Sequence, residues 1–206
     1  MNIIHVLDDY SNKTGHSTVY MIEGMKRLGH DVEVYTSNVQ LSPFKGDDSK
    51  SIVKIRRFKG IKIFKKAFFP GVIFKILFSK NPDFYHTHVM GYFSTFLTGY
   101  LKYIKRYKLA LFADIDRDVP PHKGIFGKFY YNFFMKWPTK NVDLIHVFTQ
   151  EQKRILIERT NINGEKIFVW PSGVDLSKFE RKKSKEELRK KLKLPNKFII
   201  LNVSSI

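Results

Sequence analysis

Taken as a pattern of apolar and polar positions, the chain alternates short apolar runs with stretches of helical spacing. Residues Asn2 to Leu7 are a continuous apolar run holding one histidine, as a strand buried on both faces of a parallel sheet would be. After the polar loop DDYSNKTGHS, the apolar positions Val19, Ile22, Met25 and Leu28 recur at helical spacing. Ser17 is placed to cap that helix and Gly29 to end it. Asp31 to Thr36 reads as a second short strand, which predicts a βαβ unit with a right-handed crossover.

The rhythm continues along the chain. Ser37 to Ser51 is polar and irregular, and Ile52 to Ile63 suggests strand pieces around Gly60. Residues 63–80 are apolar and basic, broken in the middle by Pro70-Gly71. Phe84 to Val89 is the next strand, Gly91 to Tyr103 the next helix and Lys108 to Ala113 a further buried strand. The polar loop DIDRDVPPHKG leads into a second aromatic and basic stretch, residues 124–137, which ends at Pro138. Asp143 to Phe148 is a strand, and Thr149 with Gln152 forms a capping box for the following helix. Ile167 to Trp170 suits a short buried strand, stopped by Pro171 and turned by Ser172-Gly173. Strands alternating with helices in this way predict an α/β fold, a Rossmann-like doubly wound parallel sheet.

Beyond Phe179 the character changes to ERKKSKEELRKKLKLP, where Ser184 and Glu187 make another capping box for a short, solvated helix. Lys197 to Val203 then reads as a new buried strand. A parallel strand without its crossover and neighbours is unfinished. The expected organisation is therefore a domain over residues 1–176, with residues 177–206 forming a charged linker helix and the first strand of a truncated second domain.

Composition narrows the class. With 206 residues and 43% hydrophobic content, a packed domain is expected and disorder is not. No apolar run reaches the roughly 18 to 20 residues of a membrane span. Asp8 and Asp9 interrupt the opening apolar run, unlike a secretory signal. The chain has no cysteine, which removes disulfides, thiolate-ligated metals and thiol nucleophiles. A cytoplasmic address is the expectation. The net charge of +18 points to an anionic partner, a membrane surface or nucleic acid, with solubility as the plain alternative. Aromatics and lysines in the broken stretches 63–80 and 124–137 suit a peripheral position at headgroup level. Alternatively, the phenylalanines pack the core and the lysines solvate it.

In an open α/β sheet, ligands gather at the carboxyl ends of the strands. The first such loop holds Gly15, His16 and Ser17 just before a helix N-terminus, where backbone can approach a phosphate. It lacks both the dinucleotide-binding glycine fingerprint and a P-loop. In FYHTHV, strand alternation puts His86 and His88 on one face, with His88 nearer the ligand end. Two histidines without a placed third ligand do not predict a metal, so none is expected, and His86 reads as a core residue. Asp114 and Asp116 lie in an acidic loop that can orient hydroxyls or supply a base, or else simply cap the loop. Gly173 belongs to the last turn, and His5, His30 and His146 read as structural.

Four segments carry a family resemblance: EGMKRLGHDVEVYT, NPDFYHTH, VDLIHVFTQEQKRIL and EKIFVWPSGVDLSKF. Together they resemble the N-terminal half of GT-B fold glycosyltransferases of family GT4. The resemblance implies two Rossmann-like domains facing a cleft. The N-terminal domain binds the acceptor, and the C-terminal domain binds most of a nucleotide-diphosphate sugar. It further implies transfer with retention of anomeric configuration, without metal or cofactor. By position it places Gly15 next to the donor phosphates, His88 facing the cleft near the acceptor, and Gly173 in the interdomain crossing. The sequence departs from the family in three places. Thr14-Gly15-His16 stands for the usual paired glycines, Ser172 for the usual asparagine, and Ile115 or Asp116 where the family has a histidine. Asp116 and His88 are thus the catalytic candidates. The family's donor-binding residues belong to the missing C-terminal domain, so these 206 residues alone are expected to transfer no sugar.

Two other functions fit the same outline. A basic nucleic-acid-binding module would explain the charge, but the basic residues are dispersed and no helix-turn-helix, zinc-finger or RNP motif appears. A nucleotide-sugar epimerase of the same shape would differ in its product.

Overall fold

The computed structural model describes residues 1–13, 17–43, 46–63, 66–114, 124–173, 176 and 183–201. The chain divides into two compact units, Met1–Gly173 and Val174–Ile206. In the first, seven strands pair in the order β3-β2-β1-β6-β7-β8-β9, and every pairing is parallel. They are β1 (Asn2–Leu7), β2 (Asp31–Ser37), β3 (Lys54–Phe58), β6 (Phe84–His88), β7 (Leu109–Phe112), β8 (Leu144–Val147) and β9 (Ile167–Val169). A separate antiparallel pair, β4 (Ile61–Ile63) with β5 (Lys66–Phe68), fills part of the connection between β3 and β6.

Helices flank this sheet on both faces, as continuous apolar strands require. Alternate residues Ile4, Val6, Tyr85, Leu109, Leu111, Ile145 and Val147 build the larger core. Leu97 and Leu101 of α3 (Phe93–Lys105) and Leu156 of α6 (Gln150–Thr160) close it. The opposite face of the first strands, Leu7, Val32 and Val34, packs on Val19 and Ile22 of α1 (Ser17–Arg27). Ser17 is itself the first helical residue, and Gly29 takes up a left-handed conformation past the last turn. Leu28, which fits the apolar period, lies outside the helix and is exposed.

The two apolar and basic stretches resolve differently. Residues 66–68 form an arm of the antiparallel pair, and α2 (Gly71–Phe78) starts immediately after Pro70. Phe69, Val72 and Ile76 are fully buried there, whereas Phe74 and Phe78 face solvent. The second stretch is helical throughout, as α4 (Gly124–Tyr130), a π-helical segment (Tyr131–Lys136) and α5 (Trp137–Lys140). Its α4 and π-helical parts bury no residue fully, so core packing does not explain their aromatics. Gly99 of α3 lets α5 approach, since a Cβ there would sit 2.6 Å from the Cβ of Pro138.

Three local expectations are corrected. The Thr149 hydroxyl does accept the Gln152 N–H, but the Gln152 side chain accepts from Phe148 N at 2.8 Å rather than from Thr149. β9 is an outermost strand with a single neighbour, so Phe168 and Trp170 are exposed rather than buried. In the second unit, α7 (Lys185–Lys191) forms with the full Ser184–Glu187 capping box. Described residues 197–201 form no strand, however, and Phe198 is 90% exposed. A strand requires a partner for its N–H and C=O groups, and no ladder forms among the described residues of that unit.

Candidate functional site

The strand order reverses between β1 and β6. From β1 the chain steps outward to β2 and β3, and from β6 it steps the other way to β9. Loops leaving the carboxyl ends of β1 and β6 diverge there, which opens the crevice that α/β sheets use for ligands. Asp8 stands at this switch point, 1% exposed. Its carboxylate accepts the backbone N–H of Ser94 at 2.9 Å, of Ala67 at 3.3 Å and of Phe93 at 3.4 Å. The anion thus sits at the N-terminus of α3, where the unpaired amides and the helix dipole favour negative charge. Burial nevertheless raises its carboxyl above the usual range, against the pull of those amides.

Around Asp8 the β6–α3 loop is held in an unusual conformation. Val89 has φ 65°, a left-handed setting that a β-branched residue adopts only under constraint. The Val89 N–H donates to Phe112 O at 2.8 Å, and the Thr95 hydroxyl donates to Val89 O at 2.7 Å. Gly91 follows at φ +76°, and a Cβ there would meet Met135 Cγ at 3.0 Å. Its carbonyl accepts both the Lys66 ammonium and the Tyr130 hydroxyl, which also contact each other. Burial lowers the Lys66 ammonium from its ordinary range, opposed by the charge of Asp8. A strained turn fixed from three sides at a sheet switch point is the mark of a preorganised site.

Beside the turn lies a cluster of imidazoles. β1 and β6 pair so that His5 stands opposite His86, and His88 lies two residues further along the same face. His5 Nδ1 and His88 Nε2 are 3.0 Å apart, and the His86 and His88 rings stack at 4.5 Å between centroids. All three are buried, and burial drives each pKa down, with the neighbouring imidazoles adding to it. They are therefore neutral. Four of their nitrogens, His5 Nε2, both of His86 and His88 Nδ1, have no hydrogen-bond partner among the described residues. Each such buried group costs roughly 1–3 kcal/mol.

Of the sequence-predicted residues, Gly15, His16 and Asp116 lie outside the described residues. His88 does come to the switch point, but inside the imidazole cluster rather than on an open strand end. Ser17 opens α1. Asp114 is exposed just beyond β7 and accepts a long 3.4 Å contact from the Gln152 amide. Gly173 has open space around it and no conformation that demands glycine. His88, Asp114 and Gly173 lie at or beyond the carboxyl ends of the parallel strands β6, β7 and β9, at the same edge of the sheet.

The sequence reading missed several partners. His5 completes the cluster, and only the pairing of β1 with β6 brings it opposite His86. Asp8 and Asp9, directly after an apolar strand, were the signal for charged groups at a ligand edge. Beyond β1 and β2 a cleft of about 440 Å³ is lined by polar groups that include Asp9, Ser11, Asn38, Asp47 and Arg57. Asp9 accepts the Leu41 and Ser42 amides, and Arg57 donates to Ser37 O and Tyr10 O while paired to Asp48. Such a wall of carboxylates, amides and hydroxyls suits a ligand rich in hydroxyl groups.

The sequence profile of Glycosyltransferase Family 4 matches residues 14–178. No curated protein matches the chain. Among solved structures, Anabaena HepE in complex with UDP superposes with a TM-score of 0.63 at 13% identity, over 94% of this chain and 50% of that one. A glycosyltransferase from Rickettsia africae superposes with a TM-score of 0.61 at 20% identity, over 95% of this chain and 50% of that one. At these identities the likeness establishes the fold. The chain spans about half the length of both.

Proposed function

This chain belongs to Glycosyltransferase Family 4, and on that premise we propose that it is the acceptor-binding part of an enzyme moving a sugar from a nucleotide-diphosphate donor to an acceptor at a membrane surface. The UDP in the Anabaena structure supports a nucleotide sugar as donor. Residues 177–206 would lead into a donor-binding domain, and the 206 residues alone would transfer nothing, since they span half of the related structures. The hydroxyl-suited cleft beside Asp9 and Arg57 is the proposed acceptor site. Asp116 and His88 are the proposed catalytic residues, and Gly15, His16, Ser17, Asp114 and Gly173 are proposed to bind donor phosphate or acceptor. Retention is carried over from the family resemblance, and no cofactor is invoked.

The observation that carries the membrane reading is the outer surface of α2, α3 and α4. Phe74, Phe78, Ile104, Ile125, Phe126 and Phe129 are all more than half exposed. Phe129, Phe133, Tyr100, Trp137 and Tyr103 form a chain of contacting rings, stacked except for the tilted Phe133–Tyr100 pair. Lys75, Lys105, Lys128 and Lys136 stand on the same helices. Aromatics at acyl-boundary depth with lysines reaching anionic headgroups make an interfacial surface, and each lysine near such a membrane contributes about 1 kcal/mol. Among the described residues, no helix is long and apolar enough to cross a membrane. Flotation with anionic vesicles tests the reading: the protein should float at low salt and stay behind with neutral vesicles. Equal recovery in the unbound fraction with both lipids would sink it. Analysis of the sugar product separates transfer from epimerisation.

A further inference from the structure

We propose that His5, His86 and His88 form a binding site for one divalent transition-metal ion of the zinc class. The three residues are brought together by the parallel register of β1 and β6, although His5 and His88 are 83 positions apart in the chain. They offer one ligand nitrogen each, all within 4.8 Å of one another. Zinc binds imidazole nitrogen at about 2.0–2.1 Å, so two ligands of a tetrahedral ion sit about 3.3 Å apart. His5 Nδ1 and His88 Nε2, at 3.0 Å, already have nearly that separation. The ion would take the place of the proton between these two nitrogens, and that proton would move to the outer nitrogen of the ring that carried it. His5 then carries its own proton on Nε2 and His88 on Nδ1, so both bind as neutral imidazoles and no proton is released.

The third ligand comes from His86. Both of its nitrogens lack a partner among the described residues, while its ring is 95% buried. A buried side chain with two unmet nitrogens, stacked beside a preset pair, is what a ligand lacking its ion looks like. Rotation of that ring brings its nitrogen to bonding distance, and a water completes the tetrahedron. Neutral imidazoles favour zinc, copper or nickel over magnesium or calcium, which prefer oxygen ligands. The site lies beneath the strained Val89 turn, so the ion would pin the carboxyl end of β6 to β1. That role is structural, and for His88 it would stand in place of the catalytic part proposed above.

The test uses untagged protein stripped with chelator and then dialysed against zinc. Elemental analysis should find about one zinc per chain, and the thermal midpoint should rise by mass action. Loss of even an outer-shell partner weakens metal binding 10–100-fold, so His5→Gln and His86→Gln should each weaken it by more than about 100-fold. His30→Gln and His146→Gln should leave it unchanged. No bound zinc in the wild type, or full binding in both cluster variants, overturns the proposal. Should the variants fail to fold, X-ray absorption of the zinc-loaded wild type decides. Three imidazole scatterers support the site, and fewer than three overturn it.

Discussion

Asp8 accepts the backbone N–H of Ser94 at 2.9 Å, and this one bond ties the end of the first strand to the first turn of the helix after the fourth strand of the sheet. It also separates two uses of a carboxylate at a strand end. Asp8 is buried and satisfied by amides, so it positions the site rather than meeting a ligand. Asp8→Ala should cost about 1–3 kcal/mol, because buried amides at the start of α3 lose their acceptor. Asp8→Asn keeps one acceptor oxygen and should cost less. Urea denaturation of the three proteins checks the order.

Asp8 also predicts a pH dependence. Its carboxyl is raised in the folded state by burial, so the folded chain takes up a proton more readily than the unfolded chain. Its linked contribution is therefore present below the unfolded value, about pH 4, and is lost as pH rises through the folded value. The stability of wild type relative to Asp8→Asn should increase as pH falls from about 7 toward 4. A difference that shrinks over that interval would contradict the assignment.

Glycines at 91 and 173 make a contrasting pair. Gly91 has φ +76° and Met135 Cγ 3.0 Å from where a Cβ would stand, while nothing lies within 4 Å of that position at Gly173. Gly91→Ala should destabilise by more than about 1 kcal/mol and Gly173→Ala by a few tenths at most. Thermal denaturation of both variants distinguishes them.

Val89 is held at φ 65°, a conformation that asparagine tolerates far better than a β-branched residue. Val89→Asn should therefore stabilise the isolated chain by up to about 1 kcal/mol. The same change should lower transfer in the whole enzyme if the turn's shape serves the acceptor. Equal or lower stability in the variant would show that the packing of the Val89 side chain outweighs the strain.

Much of the fold was legible because a parallel sheet buries both faces, and that forces the apolar runs at Asn2–Leu7, Leu109–Phe112 and Leu144–Val147. What the runs could not disclose was pairing between distant strands. His5 reads as a lone structural histidine until β1 and β6 are set side by side. Composition likewise could not divide residues 63–80, where Phe69 is buried and Phe78 exposed nine positions along. Helix phase decides that, and Pro70 sets the phase. The run from Lys197 is a different case. It is apolar enough for a strand, but no ladder receives its described residues.

The exposed rings give a direct variant test. Phe74→Ser with Phe126→Ser should reduce anionic-vesicle binding several-fold without loss of stability, since Phe74 and Phe126 are 64% and 87% exposed. Co-sedimentation measures the first effect and thermal denaturation the second.

On the proposed function, this chain serves sugar transfer to an acceptor at a membrane surface only as part of a two-domain enzyme. The measurement that addresses it most directly is movement of radiolabel from a nucleotide-diphosphate sugar into the lipid phase of membrane vesicles. It should be made with these 206 residues and with a longer chain carrying a donor-binding domain. The account predicts labelled lipid product with the longer chain and none with the shorter. Label confined to the aqueous phase with the longer chain, or transfer by the 206 residues alone, would contradict it.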